Sequence, residues 1–151
     1  MTDSCLFCRI AAGEVPAHIV HQDDRLIAFL DLHPIRPGHT LIVPRDHHTW
    51  FEDMPDDLAA AVMKASQRIA RAQKRIYDVP RVAMFFTGIH VPHVHAHVVP
   101  MHDIHDVTSV AYLQDGFDRF SPPPQVPADQ MAAAAGALAS AVAEAENKRD
   151  R

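Results

Sequence analysis

Residues 93–97 read His93-Val94-His95-Ala96-His97, three imidazoles at alternate positions in an apolar, β-prone run that continues through Val98, Val99 and Pro100. A strand repeats its side-chain direction every second residue, so the three rings share one face, spaced about 7 Å from one to the next. The opposite face, Val94, Ala96 and Val98, can bury against a core. Each ring carries a donor and an acceptor that burial would leave unsatisfied, and titratable groups brought together in this way point to a functional site. Three ligands to one metal ion is an awkward reading, because alternate residues on a fairly straight strand span too far to converge. A cupin-like His-x-His site would need a nearby Glu, and none lies between Glu52 and Glu144. A second chemical pattern is Cys5-x-x-Cys8, the only two cysteines of the chain. That spacing suits a metal or redox pair, although two buried cysteines under a sheet would read the same. No βαβ context supports a thioredoxin-like role.

The remaining sequence has to position these groups. The 151 residues suit one domain with a real core, and 48% apolar with 22% charged residues is ordinary for a globular chain. A net charge of −5 argues against a protein that follows nucleic acid through a basic surface. No apolar run approaches the roughly 20 residues needed to span a bilayer, and the first residues lack a signal-peptide pattern, so a cytoplasmic protein without membrane contact is expected. Ile19-Val20 and Leu26–Leu30 read as hairpin strands around residues 22–25, and Thr40–Val43 as a buried strand ended by Pro44. Between Pro55 and Asp78 the period changes: Leu58, Val62, Ala65, Ile69, Ala72 and Ile76 recur every three or four residues, the pattern of one amphipathic helix. Lys64, Arg68, Arg71, Lys74 and Arg75 form its solvated face. Strands follow at 82–86 and 93–100, then a Pro-rich stretch at 116–127 and an alanine-rich helix from Asp129 to Asn147. His102, Asp103, His105 and Asp106 follow the triad strand and could reach the mouth of the site, with exposed loop residues as the preferred reading. The expected class is α+β with an antiparallel sheet, divided as a domain over 1–115, a linker over 116–127 and a helix over 128–151 packing on the same domain or a dimer partner.

Taken together, these motifs resemble the histidine triad (HIT) family. The phrase His93–Pro100, preceded by Gly88 and Val91-Pro92, carries the likeness, as do Cys5–Ile10, Ala28–Asp31 and Gly38–His47 upstream, in order and spacing over roughly residues 5–100. The resemblance implies a five-stranded antiparallel sheet with one long helix, here followed by a C-terminal helix, usually as a homodimer. The implied activity is cleavage at the α-phosphate of a purine nucleotide conjugate, a phosphoramidate or a dinucleoside polyphosphate. By position, His95 would be the nucleophile, His97 would contact phosphate oxygens and His39 would lie against the triad. Asp31 would bind the ribose hydroxyls, and Leu6, Phe7, Ile10, Phe29 and Leu32 would line the base pocket. One branch of the family also implies a structural zinc held by Cys5, Cys8, His47 and His93, with His48 as the rival of His47.

The chemistry agrees with that implication. An imidazole attacks phosphorus through an unprotonated nitrogen, so His95 should be a neutral tautomer whose other nitrogen donates to a carbonyl. Attack gives a nucleotidyl-histidine that water later hydrolyses, with His97, His39 and strand amides holding the phosphoryl oxygens. Magnesium is not required, since no P-loop or carboxylate pair is present to hold it. Many family members carry Gly-Gln-Ser or Gly-Gln-Thr before the triad, where this chain has Gly88-Ile89-His90, which leaves the leaving group open. A nucleotide-binding or scaffold module with little turnover, or a zinc-binding protein, is the alternative from another class.

Overall fold

The computed structural model describes residues 5–88, 90–107 and 124–147, and Ile89 and the first part of the Pro-rich stretch, up to residue 123, lie outside them. Described in chain order are α1 (Leu6–Ala11), β1 (Ile19–Gln22), β2 (Leu26–Leu30), β3 (Thr40–Pro44), α2 (Asp56–Tyr77), β4 (Arg81–Phe86), β5 (Ala96–Met101) and α3 (Ala128–Asn147). The strands form one antiparallel sheet in the order β1-β2-β3-β5-β4. This is the expected α+β class.

The central strands are buried on both faces, and their alternation divides the core in two. Leu26, Ala28 and Leu30 of β2, with Ile42 of β3 and Val98 of β5, join the larger cluster under α2 and α3. Ile27, Phe29, Leu41 and Val43 join Phe7 and Ile10 of α1 on the other face. The Cys5–Ile10 segment, read only as apolar from the sequence, is therefore a short helix closing that second face. Period-two and period-3.6 patterns each put their apolar residues where the sheet needs them.

The long helix falls where its periodicity predicts, and it ends at Asp78 in the left-handed region with φ 49°. Much of its apolar surface is covered within this chain, because α3 packs along α2 and against β1, with Met131, Ala135, Leu138 and Val142 in the same cluster as Val62 and Ile69, whereas Met63 and Ile76 stay exposed. Buried Gln73 of α2 donates through Nε2 to the carbonyls of Gly38 and Val98, each at 2.9 Å. Gly38 has φ +89°, and a Cβ there would overlap the Tyr77 ring, so only glycine lets this loop approach α2 so closely. The loop between β2 and β3 is thus pinned from below. Arg45 pins α1 in the same manner, donating to the carbonyls of Ala11 (2.8 Å) and Asp23 (2.7 Å). No helix among the described residues is long and apolar enough to cross a membrane.

Candidate active site and metal centre

The triad lies partly outside the strand assigned to it. Regular pairing begins only at Ala96, so His93 and His95 precede β5 rather than sit within it. Val94, Ala96 and Val98 bury in the larger core as their alternation requires. The rings face the α1 side, but not at even spacing: His95 and His97 lean together to 4.8 Å between centroids, closer than an ideal strand gives. His93 is carried toward Cys5 and Cys8 instead. Without ladder bonds to hold it flat, the chain there can tilt its side chains into two separate sites.

The first site gathers Cys5, Cys8, His47 and His93, whose ligand atoms all lie within 4.8 Å of one another. Cys5 Sγ is 3.4 Å from His93 Nδ1, Cys8 Sγ is 3.4 Å from the same nitrogen, and Cys8 Sγ is 3.3 Å from His47 Nδ1. A tetrahedral zinc with Zn–S of about 2.3 Å and Zn–N of about 2.0–2.1 Å has sulfur–nitrogen edges of about 3.5 Å, so the donor set fits that ion. The protonation pattern fits as well. His93 Nε2–H donates to the Pro44 carbonyl at 2.9 Å, leaving Nδ1 unprotonated toward the thiols. Burial pushes the His93 imidazole down to about 4, and burial together with the neighbouring Cys5 pushes the Cys8 thiol up to about 11. A Cys8 thiol that resists ionising is what a divalent cation would relieve. Of the two candidate histidines after Pro44, His47 faces the thiols, whereas His48 accepts from the Val94 amide through its backbone carbonyl at 2.7 Å.

The second site is a cavity of about 1140 Å³ on the α1 side of the sheet, and the proposed nucleotide residues Leu6, Phe7, Ile10, Phe29, Asp31, Leu32, His39, His95 and His97 all line it. Leu6 and Leu32 stand half exposed, whereas Phe7 and Phe29 pack edge to face at 5.6 Å within it. Phe7 also meets the His95 ring edge-on at 5.0 Å. Asp31 Oδ1 accepts from the His33 amide at 2.8 Å, and its Oδ2 lies 3.8 Å from His39 Nδ1.

Hydrogen-bond direction fixes the tautomers. A carbonyl can only accept, so His95 donates from Nδ1 to the His93 carbonyl at 2.7 Å and Nε2 is its unprotonated nitrogen. A backbone amide can only donate, so Ile35 N–H gives its proton to His39 Nδ1 at 3.2 Å. His39 Nε2–H must then donate to His97 Nδ1 at 2.9 Å, and His97 Nε2–H to the Thr87 hydroxyl at 3.1 Å. Burial holds His39 down to about 4 despite the opposing pull of Asp31, holds His97 down to about 3, and lowers His95. All three are neutral imidazoles at pH 7.

Two features of this site escaped the sequence reading. Thr87 and Phe85 complete the chain, Phe85 stacking on His97 at 4.7 Å and 8° between planes, and the Phe85–His97 pairing of β4 with β5 is the register that would have found them. Asp106 corrects an expectation: its side chain is only 6% exposed rather than a solvated loop carboxylate, and it receives Arg36.

The HIT domain family model matches residues 12–104. An uncharacterized HIT-like protein of Methanocaldococcus jannaschii is 36% identical over 66% of this chain and 80% of its own length. The adenosine 5′-monophosphoramidase of Saccharomyces cerevisiae is 34% identical over 66% of this chain and 64% of its own. The crystal structure of a zinc-bound histidine triad family protein from Mycobacterium smegmatis superposes with a TM-score of 0.76 and 25% identity, covering 98% of this chain and 99% of that one.

Proposed function

The chain belongs to the HIT domain family, and on that footing we propose that it is a nucleotide hydrolase or transferase that cleaves at the α-phosphate of an adenosine or other purine 5′-phosphoramidate, ester or anhydride. The observation that carries the reading is the His95 tautomer: Nδ1–H is committed to the His93 carbonyl, so Nε2 keeps its lone pair for attack. Cavity residues Asp31, Phe7 and Phe29 supply a carboxylate for ribose hydroxyls and an aromatic wall for the base. The S. cerevisiae relative is a monophosphoramidase, and a cytoplasmic enzyme of that class is the nearest fit.

In this mechanism His95 Nε2 attacks the α-phosphorus, the bond to the leaving group breaks, and the nucleotidyl group rests on His95 until water removes it. His97 gives its one N–H to Thr87, which leaves the Thr87 hydroxyl hydrogen as the neutral donor toward a phosphoryl oxygen, and the site assembles without magnesium. Zinc on Cys5, Cys8, His47 and His93 would act structurally, fixing α1 to the residue whose carbonyl orients His95. Adenosine 5′-phosphoramidate should yield AMP, and rapid acid quenching with mass spectrometry should find an adenylyl adduct on the peptide containing His95. AMP formation without any adduct in the pre-steady state would remove the covalent step. Failure to release AMP or GMP from any conjugate, with nucleotide binding intact, would favour the binding-module reading.

A homodimer is the assembly we propose. β4 is a sheet edge, and Trp50, Phe51 and Met63 are about half exposed, with Phe51 against Phe86 at 5.0 Å. An unpaired strand edge and exposed apolar side chains are both pairing surfaces. Sedimentation should give twice the chain mass at tens of micromolar, a concentration range that tests weak dimers; a monomer there would refute it.

A further inference from the structure

Arg36 donates from both Nε and Nη2 to Asp106 Oδ1, at 2.9 and 2.6 Å. The other oxygen, Oδ2, accepts the amides of His102 and Asp103 at 2.8 and 2.9 Å. One carboxylate therefore closes the turn after β5 and holds the loop between β2 and β3 at once. Burial would raise its pKa, yet these bonds keep it below the usual carboxylate range.

The place that Arg36 occupies gives the pair its consequence. Its carbonyl accepts the His39 amide at 3.0 Å, and its neighbour Ile35 supplies the amide that fixes His39 Nδ1 as an acceptor. Every later bond in the chain to His97 and Thr87 inherits its direction from that amide. Gln73 and Tyr77 restrain this turn only at Gly38. Asp106 restrains the residue 35–36 side through the Arg36 side chain; it lies beyond the family match at residue 104 and, with Val107, lines the same cavity.

We propose that the Arg36–Asp106 ion pair is a positioning clamp for the reaction, holding the turn at residues 35–39 so that the His39–His97–Thr87 chain keeps a single proton direction. Asp106 is thus a positioning residue, not a catalytic one. The proposal rests on the reading that His95 attacks a phosphorus held by these donors.

The test compares the full chain with Arg36→Met, and with Arg36→Met/Asp106→Asn, which removes the carboxylate that the single variant leaves unpaired. Nitrogen-15 imidazole spectra should give one Nε2–H tautomer for His39 and for His97 in the wild type and mixtures in both variants. With adenosine 5′-phosphoramidate, kcat should fall about tenfold and KM change less than about twofold, as for a small misplacement of reacting groups. Arg36→Lys, which keeps the charge but not the fork, should recover part of kcat. Folded variants that retain the wild-type imidazole spectra and kcat would overturn the clamp. A wild-type protein that does not turn over the phosphoramidate would count against the functional reading instead, and the spectra would still decide the clamp.

Discussion

Two groups of histidines, each pairing one residue of the 93–97 stretch with one flanking β3, do opposite things with their nitrogens. In the Cys5, Cys8, His47, His93 cluster the unprotonated nitrogen of His93 and the thiols converge on one point, and the N–H is turned away to a carbonyl. In the His39–His97–Thr87 chain each ring receives a proton on one side and passes one on at the other. Convergence suits a cation, and direction suits an oxyanion with fixed donors. The same side chain thus acquires its role from the backbone group that engages its second nitrogen. His95 stands between the two, held by the carbonyl of a cluster residue and opening into the cavity of the other.

The largest break in this comparison should come from His95→Asn, which removes the nucleophile and leaves both flanking groups in place. AMP release should fall by more than about a thousandfold, the scale of nucleophile deletions, with the far-ultraviolet spectrum and nucleotide binding kept. Retention of over a tenth of the rate would refute the nucleophile.

Cys5→Ser tests the convergent cluster. Bound zinc should drop from about one per chain, and the melting temperature should fall by about 10 °C, corresponding to about 3 kcal/mol for a chain of this size. At 25 °C kcat should change far less. His48→Ala is the inner control and should shift stability by no more than about 0.5 kcal/mol. A metal-free wild type whose thiols alkylate freely would end the comparison.

Asp31→Ala sharpens the other side. Ribonucleotide affinity should fall by about 1.5–3 kcal/mol, the worth of a hydrogen bond to a charged group, as read by calorimetry. A 2′,3′-dideoxynucleotide should scarcely notice, and equal losses would show that Asp31 does not read the ribose.

The last test is a slope. His39 and His97 stay neutral in the fold down to about 4 and 3, whereas the ordinary value is 6.5. Between those limits the unfolded chain takes up protons that the folded chain refuses, so stability present above pH 6.5 is lost as pH falls through the window. Urea unfolding from pH 7.5 to 4.5 should lose up to about 1.4 kcal/mol per pH unit for each such histidine. His97→Gln should flatten part of that slope, and an unchanged slope would mean that His97 is not held neutral.

The sequence by itself determined the fold class, the approximate places of the strands and of the two long helices, and which residues could do chemistry. Period two in β2 and β3 and period 3.6 in α2 are local signals, and burial of their apolar faces leaves the sheet few alternatives. The alternating histidines and the paired cysteines likewise marked the two sites. Only the tertiary structure decided how the imidazoles divide between them, because that depends on where regular pairing of β5 begins and on which carbonyl or amide lies beside each ring. Choosing His47 over His48, adding Thr87 and Phe85, and burying Asp106 beneath Arg36 all depend on contacts between segments far apart in the chain. Spacing along one segment carries no information about such partners. Hydrogen-bond direction is set by them, and so the proton pattern of the site is a property of the folded molecule alone.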